Sequence, residues 1–129
     1  MGFLPSMALA EPHCNREHDT VTLTGHLSRK TYAGPPNFES IRRGDAREVT
    51  PVLLVKPALC IWMPGEGEDA RGKAHHVKVI QLLDAEQLLP PEPSQGRHRF
   101  TGRLMLAETG HHHEAVLMEV EAIDPPRRP

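Results

Sequence analysis

Thirteen prolines and ten glycines are spread through a chain of 129 residues, and that density excludes a helical bundle. Each proline inside a helix removes a backbone donor, and each glycine weakens a helix interior by about 1 kcal/mol. Turn-rich β structure is the expectation. The clearest strand is Thr20-Val21-Thr22-Leu23-Thr24-Gly25-His26-Leu27, where Thr or His alternates with Val or Leu, the period-two pattern of a strand with one buried face. Gly25 interrupts it where a bend or bulge belongs, and Gly102 does the same within Thr101-Gly102-Arg103-Leu104.

Further strands are expected at Val49 to Val55, Leu59 to Met63, His76 to Leu83, Arg99 to Leu106 and Ala115 to Ile123. Pro51 marks the first of these as an edge position or a strand start. Asp84 fits the N-cap of a short helix running to Leu89, with Pro90-Pro91 closing it. The breakers and mixed charges of residues 64–72 predict a surface loop. A hydrophobic content of 38% supports one modest core, so a single domain is expected over residues 11–124, with residues 125–129 as a disordered tail. The fold class is all-β with one short helix: a five- to six-stranded Greek-key barrel of OB type, its glycines easing the strongly bent strands. A small β-sandwich is the alternative architecture.

The first ten residues end in Ala8-Leu9-Ala10, a small-x-small pattern, and read as the remnant of a signal peptide or as a disordered apolar start. No later stretch approaches the roughly 18 apolar residues of a membrane span, so no membrane insertion is expected and the expected location is the periplasm. Two cysteines, Cys14 and Cys60, are an even count in a small exported chain and predict one disulfide. Two buried thiols or two metal ligands are the alternatives, although neither residue belongs to a CxxC pair.

Candidate chemistry lies in two places. Gly34-Pro35-Pro36-Asn37-Phe38-Glu39, followed by Gly44-Asp45, forbids helix and central strand and predicts a rigid loop suited to recognition. Its binding candidates are Tyr32, Pro35, Pro36, Asn37, Phe38 and Asp45; Tyr32 and Phe38 can serve instead as caps on the barrel. The second place is His111-His112-His113-Glu114. In an extended segment His111 and His113 share one side, so a zinc or copper site there needs a third ligand from His75, His76 or Glu114. The bland reading is a polar hairpin end.

The order of Leu23-Thr24-Gly25-His26-Leu27, Tyr32 to Phe38, Gly44-Asp45, Pro57-Ala58-Leu59-Cys60, Val79-Ile80-Gln81-Leu82 and Thr109 to His113 resembles a bacterial family of exported small domains. The resemblance implies a small OB-like barrel acting outside the cytoplasm and supplies no catalytic residues. More loosely, exported chains of this size look like periplasmic immunity proteins that neutralise delivered toxins.

Function follows by exclusion. No Gly-x-Ser-x-Gly elbow, HExxH, phosphate loop or calcium loop occurs, so an enzyme is not expected. A net charge of -2 and 4% aromatic residues argue against the basic, stacking groove of a nucleic-acid-binding OB barrel. The leading expectation is a non-enzymatic periplasmic module that binds a protein, such as an inhibitor or immunity protein facing a bacterial toxin. The alternative is a metal-binding protein built on His111 and His113.

Overall fold

The structure is a computed structural model that describes residues 14–65, 72–89 and 96–124. The expected leader (1–10), the tail (125–129), most of the 64–72 loop and Pro90-Pro91 lie outside the described residues. Strand β1 spans Thr20–Ala33, β2 Arg47–Met63, β3 Lys73–Leu83, β4 His98–Leu106 and β5 Val116–Asp124. They form one closed barrel in the order β1-β2-β3-β5-β4, with β4 pairing back onto β1. All ladders are antiparallel except β3 with β5. This is the OB-like barrel, and closure rules out the sandwich alternative.

Two of the six strand candidates are one strand. Val49–Val55 and Leu59–Met63 join in β2 across a register shift between Leu54 and Leu59. Pro57 sits inside that bulge, where its missing N–H is tolerated. Pro51 stands just beyond the β2–β3 ladder, which ends at the Val52–Gln81 pair, so it holds an edge position on that side. β1 continues past Leu27 to Ala33, so the proline loop begins at Gly34.

Closure depends on both interrupting glycines. β1 pairs with β4 from Thr20 to Gly25 and with β2 from Gly25 to Ala33, so Gly25 is the residue at which the strand changes partners. A Cβ there would collide with the Leu54 carbonyl and come within 2.9 Å of Leu53 Cδ1. Gly102 lies at the β4–β5 register shift, where a Cβ would collide with the Glu119 carbonyl and reach 2.6 Å from Met118 Cγ. A strand bent this sharply brings neighbouring backbone into the space a side chain would fill.

The barrel interior holds Leu53, Ile61, Ile80, Phe100, Leu104 and Met118, all fully buried. The expected helix at 84–89 is only a turn. Asp84 has φ 53°, left-handed rather than the extended conformation of an N-cap, and the turn is closed by Leu88 N–H and Leu89 N–H, which both donate to the Ala85 carbonyl. Ala85 and Leu89, each 2% exposed, nevertheless belong to the core.

Cys14 and Cys60 are disulfide-bonded, with 4.6 Å between their Cα atoms. The bond pins the start of the described chain to β2. Next to it Asn15 N–H donates to the Cys60 carbonyl, Trp62 N–H donates to Asn15 and His18 N–H donates to the Leu104 carbonyl. Closing a loop of 46 residues contributes about 2–4 kcal/mol. Trp62 is 36% exposed, with the Arg16 guanidinium over its ring.

Gly102→Ala is therefore expected to destabilise the barrel by about 2 kcal/mol and to lower the melting temperature by roughly 10 °C. Thermal and urea unfolding monitored by circular dichroism check this.

Candidate functional site

The β1–β2 loop (34–46) and the β4–β5 loop (107–115) meet over the outer face of the sheet. A row of register partners on that face runs from Ser28 through Val52 and Gln81 to Leu117. Val52 and Leu117 are fully buried yet lie outside the interior cluster, so something must cover them from outside. The β4–β5 loop lies on this row at Gln81. That side chain is 2% exposed. Its Nε2 donates to the His111 carbonyl (2.9 Å), and its Oε1 accepts from the backbone N–H groups of His113 (2.6 Å) and Glu114 (3.2 Å).

So fixed, the loop lays His113 on the ring of Tyr32, with centroids 4.5 Å apart and planes 7° from parallel. Tyr32 is the register partner of Glu48 on β2. The Glu48 carboxylate lies 2.7 Å from His113 Nε2 through Oε1, and His111 Nδ1 lies 2.9 Å from each carboxylate oxygen. An ionised carboxylate can only accept, so both imidazole nitrogens donate to it. Burial would raise the pKa of Glu48, but the hydrogen bonds from His111 and His113, with their charge, outweigh it and hold the group below the usual carboxylate range.

The phenol of Tyr32 donates to Glu114, which also faces Lys30 Nζ at 3.6 Å. Lys30 Nζ in turn lies 5.4 Å from the centre of the Tyr32 ring. Burial first, then the hydrogen bond to Glu114 and its charge, push the Tyr32 phenol well above its ordinary range.

The β1–β2 loop is closed at its base by Gly34 N–H donating to Ala46 O and Ala46 N–H donating to Pro35 O. Asp45, 7% exposed, braces it from within by accepting from the N–H groups of Asn37 (3.0 Å), Glu39 (2.9 Å) and Ser40 (2.9 Å). Those bonds, from Ser40, Glu39 and Asn37 in that order of effect, lower the Asp45 pKa. Phe38 joins the two loops, with its ring edge-on to His111 at 5.0 Å. It packs so closely on Gly110 that a Cβ there would come 2.7 Å from the ring.

The predicted site residues thus divide. Pro35, Pro36 and Asn37 are exposed, as contact residues must be. Tyr32 and Phe38 are half-buried and join loop to sheet and loop to loop, rather than capping an end of the barrel. Asp45 is a brace rather than a contact. The five-residue metal set is not brought together. His111 and His113 converge, but Glu114 is engaged by Tyr32 and Lys30. His75 and His76 pair with Ile61 and Cys60, six and five residues from Gln81 along β3, or about 16–20 Å away at strand rise. His112 turns elsewhere and accepts from the Glu108 N–H.

Sequence reasoning missed Glu48, Lys30 and the role of Gln81. Gln81 carried a signal, a lone amide inside the apolar run Val79-Ile80-Gln81-Leu82-Leu83. Glu48 carried none, because its importance depends on β1–β2 register.

The fold and the site together define a five-stranded OB-like barrel whose β1–β2 and β4–β5 loops form one surface. Residues 87–124 match a protein-family model described as "Domain of unknown function (DUF4431)". The match takes in β4, the histidine loop and β5, and leaves Glu48 and the β1–β2 loop outside it. No curated protein and no solved structure matches the chain.

A carboxyl held below its ordinary pKa stabilises the fold in its ionised form. That contribution is present above the unfolded value, near pH 4, and lost as pH falls through the folded value. Urea unfolding between pH 7 and pH 3 is therefore expected to show the stability gap between the native chain and Asp45→Asn widest at pH 7 and shrinking below pH 4.

Proposed function

We propose that the chain is a non-enzymatic recognition module acting outside the cytoplasm, which docks a protein partner on the joined β1–β2 and β4–β5 loops. The observation that carries this reading is that both loops are tied before any partner arrives, the β4–β5 loop by Glu48 and Gln81 and the β1–β2 loop by Asp45. A surface ordered in advance loses little conformational entropy on binding. These loops, with the face of strands 2 and 3, are also where OB barrels hold their ligands.

Two features favour a protein over a nucleic acid. The net charge is -2, and one face of Tyr32 is closed to a base by the stacked His113 ring. A disulfide suits an oxidising compartment, and among the described residues no helix is long and apolar enough to cross a membrane. Within this reading the finer proposal is an inhibitor or immunity protein that meets a delivered bacterial toxin.

The test is capture by the immobilised native chain of toxins encoded beside its gene, and of proteins from its own periplasm, in parallel with an Asn37→Arg, Glu39→Arg variant. One stoichiometric partner retained by the native chain and lost by the variant is the expected result. No enrichment, or equal capture by both chains, contradicts the proposal.

A further inference from the structure

The contact between Glu48 and two histidines has a chemistry that protein docking does not require. Two imidazole nitrogens, His111 Nδ1 and His113 Nε2, direct their protons at one carboxylate from 2.9 and 2.7 Å. We propose that a divalent transition-metal ion of the zinc type takes the place of those two protons, each of which passes to the other ring nitrogen of a neutral imidazole or to solvent from an imidazolium, and is held by Glu48, His111 and His113.

Two imidazoles and a carboxylate are the donors a borderline ion such as zinc takes, with bonds of about 2.0–2.2 Å. Around a tetrahedral ion such bonds place nitrogen and oxygen about 3.3 Å apart, so each N···O contact has to open by only about 0.5 Å. Two of the ligands are fixed in advance. His113 has a side chain only 6% exposed, stacked on Tyr32 and tied through its backbone to Gln81. Glu48 is 24% exposed and sits in the β1–β2 ladder opposite Tyr32.

The third ligand is the adjustable one. Among the described residues no group of three such side chains is already spaced around a vacant centre. The His111 side chain, 63% exposed, is free to make the small movement that closes the site. Its exposure also leaves the fourth position open to solvent, as in zinc sites that accept an outside ligand. Glu114 does not enter, because Tyr32 and Lys30 hold its carboxylate, and His75 and His76 are too far along β3.

Calorimetric titration of the full, untagged chain with zinc chloride alone tests this, alongside Glu48→Gln, His111→Ala and the double variant His75→Ala, His76→Ala. The native chain is expected to take up one equivalent. Binding should be at least tenfold weaker in Glu48→Gln and in His111→Ala and within twofold of native in the double variant. His111→Ala removes an exposed ring, and circular dichroism verifies that both single variants fold. Absence of stoichiometric uptake by the native chain overturns the proposal. So does native-strength binding by either folded single variant, or an equal loss in the double variant. The titration contains no protein partner, so its failure bears on the ion site and leaves the docking surface to its own test.

Discussion

The side-chain amide of Gln81 is buried between Val52 and Leu117 on the outer face of the sheet, and the placement of the site follows from satisfying it. A buried amide left without partners costs about 1–3 kcal/mol, which is a large share of the stability of a domain this size. The backbone of the β4–β5 loop supplies three hydrogen bonds to it, so the loop cannot lift without orphaning the amide. The remaining contacts follow in sequence. The fixed backbone puts His113 on Tyr32, Tyr32 stands opposite Glu48, Glu48 draws in His111, and His111 meets Phe38 of the other loop.

The barrel itself was largely readable from local pattern. Period-two alternation marked β1, the strands expected at Arg99–Leu106 and Ala115–Ile123 are β4 and β5, the two strand glycines lie where neighbouring backbone leaves no room for a side chain, and Cys14 with Cys60 formed the disulfide. The readings that failed were those decided by tertiary context. The break between Val55 and Leu59 is a bulge rather than a loop because β3 pairs on both sides of it. Residues 84–89 remain a single turn, since Asp84 is left-handed and cannot cap a helix.

The site was half readable. The proline loop and the convergence of His111 with His113 are local properties, and the structure has both, the loop braced by Asp45. The partner of the histidines is not local. Glu48 is 63 residues from His111 in sequence and reaches it only because β1–β2 register places it beside Tyr32. Histidine content alone pointed to His75 and His76, which share residue type with the site but belong to a distant stretch of β3. The proposed docking surface and the proposed zinc-type ion site are compatible, because Pro35, Pro36 and Asn37 are exposed while Glu48, His111 and His113 meet one another beside them.

The buried Gln81 amide fixes the β4–β5 loop and thereby assembles the site. Native-state hydrogen exchange at the His113 and Glu114 amides, compared between the native chain and Gln81→Leu, tests it most directly. The predicted result is protection of both amides in the native chain, lost in the variant while the amides of β4 stay protected. Rapid exchange of these amides in the native chain, or unchanged protection in Gln81→Leu, would contradict it.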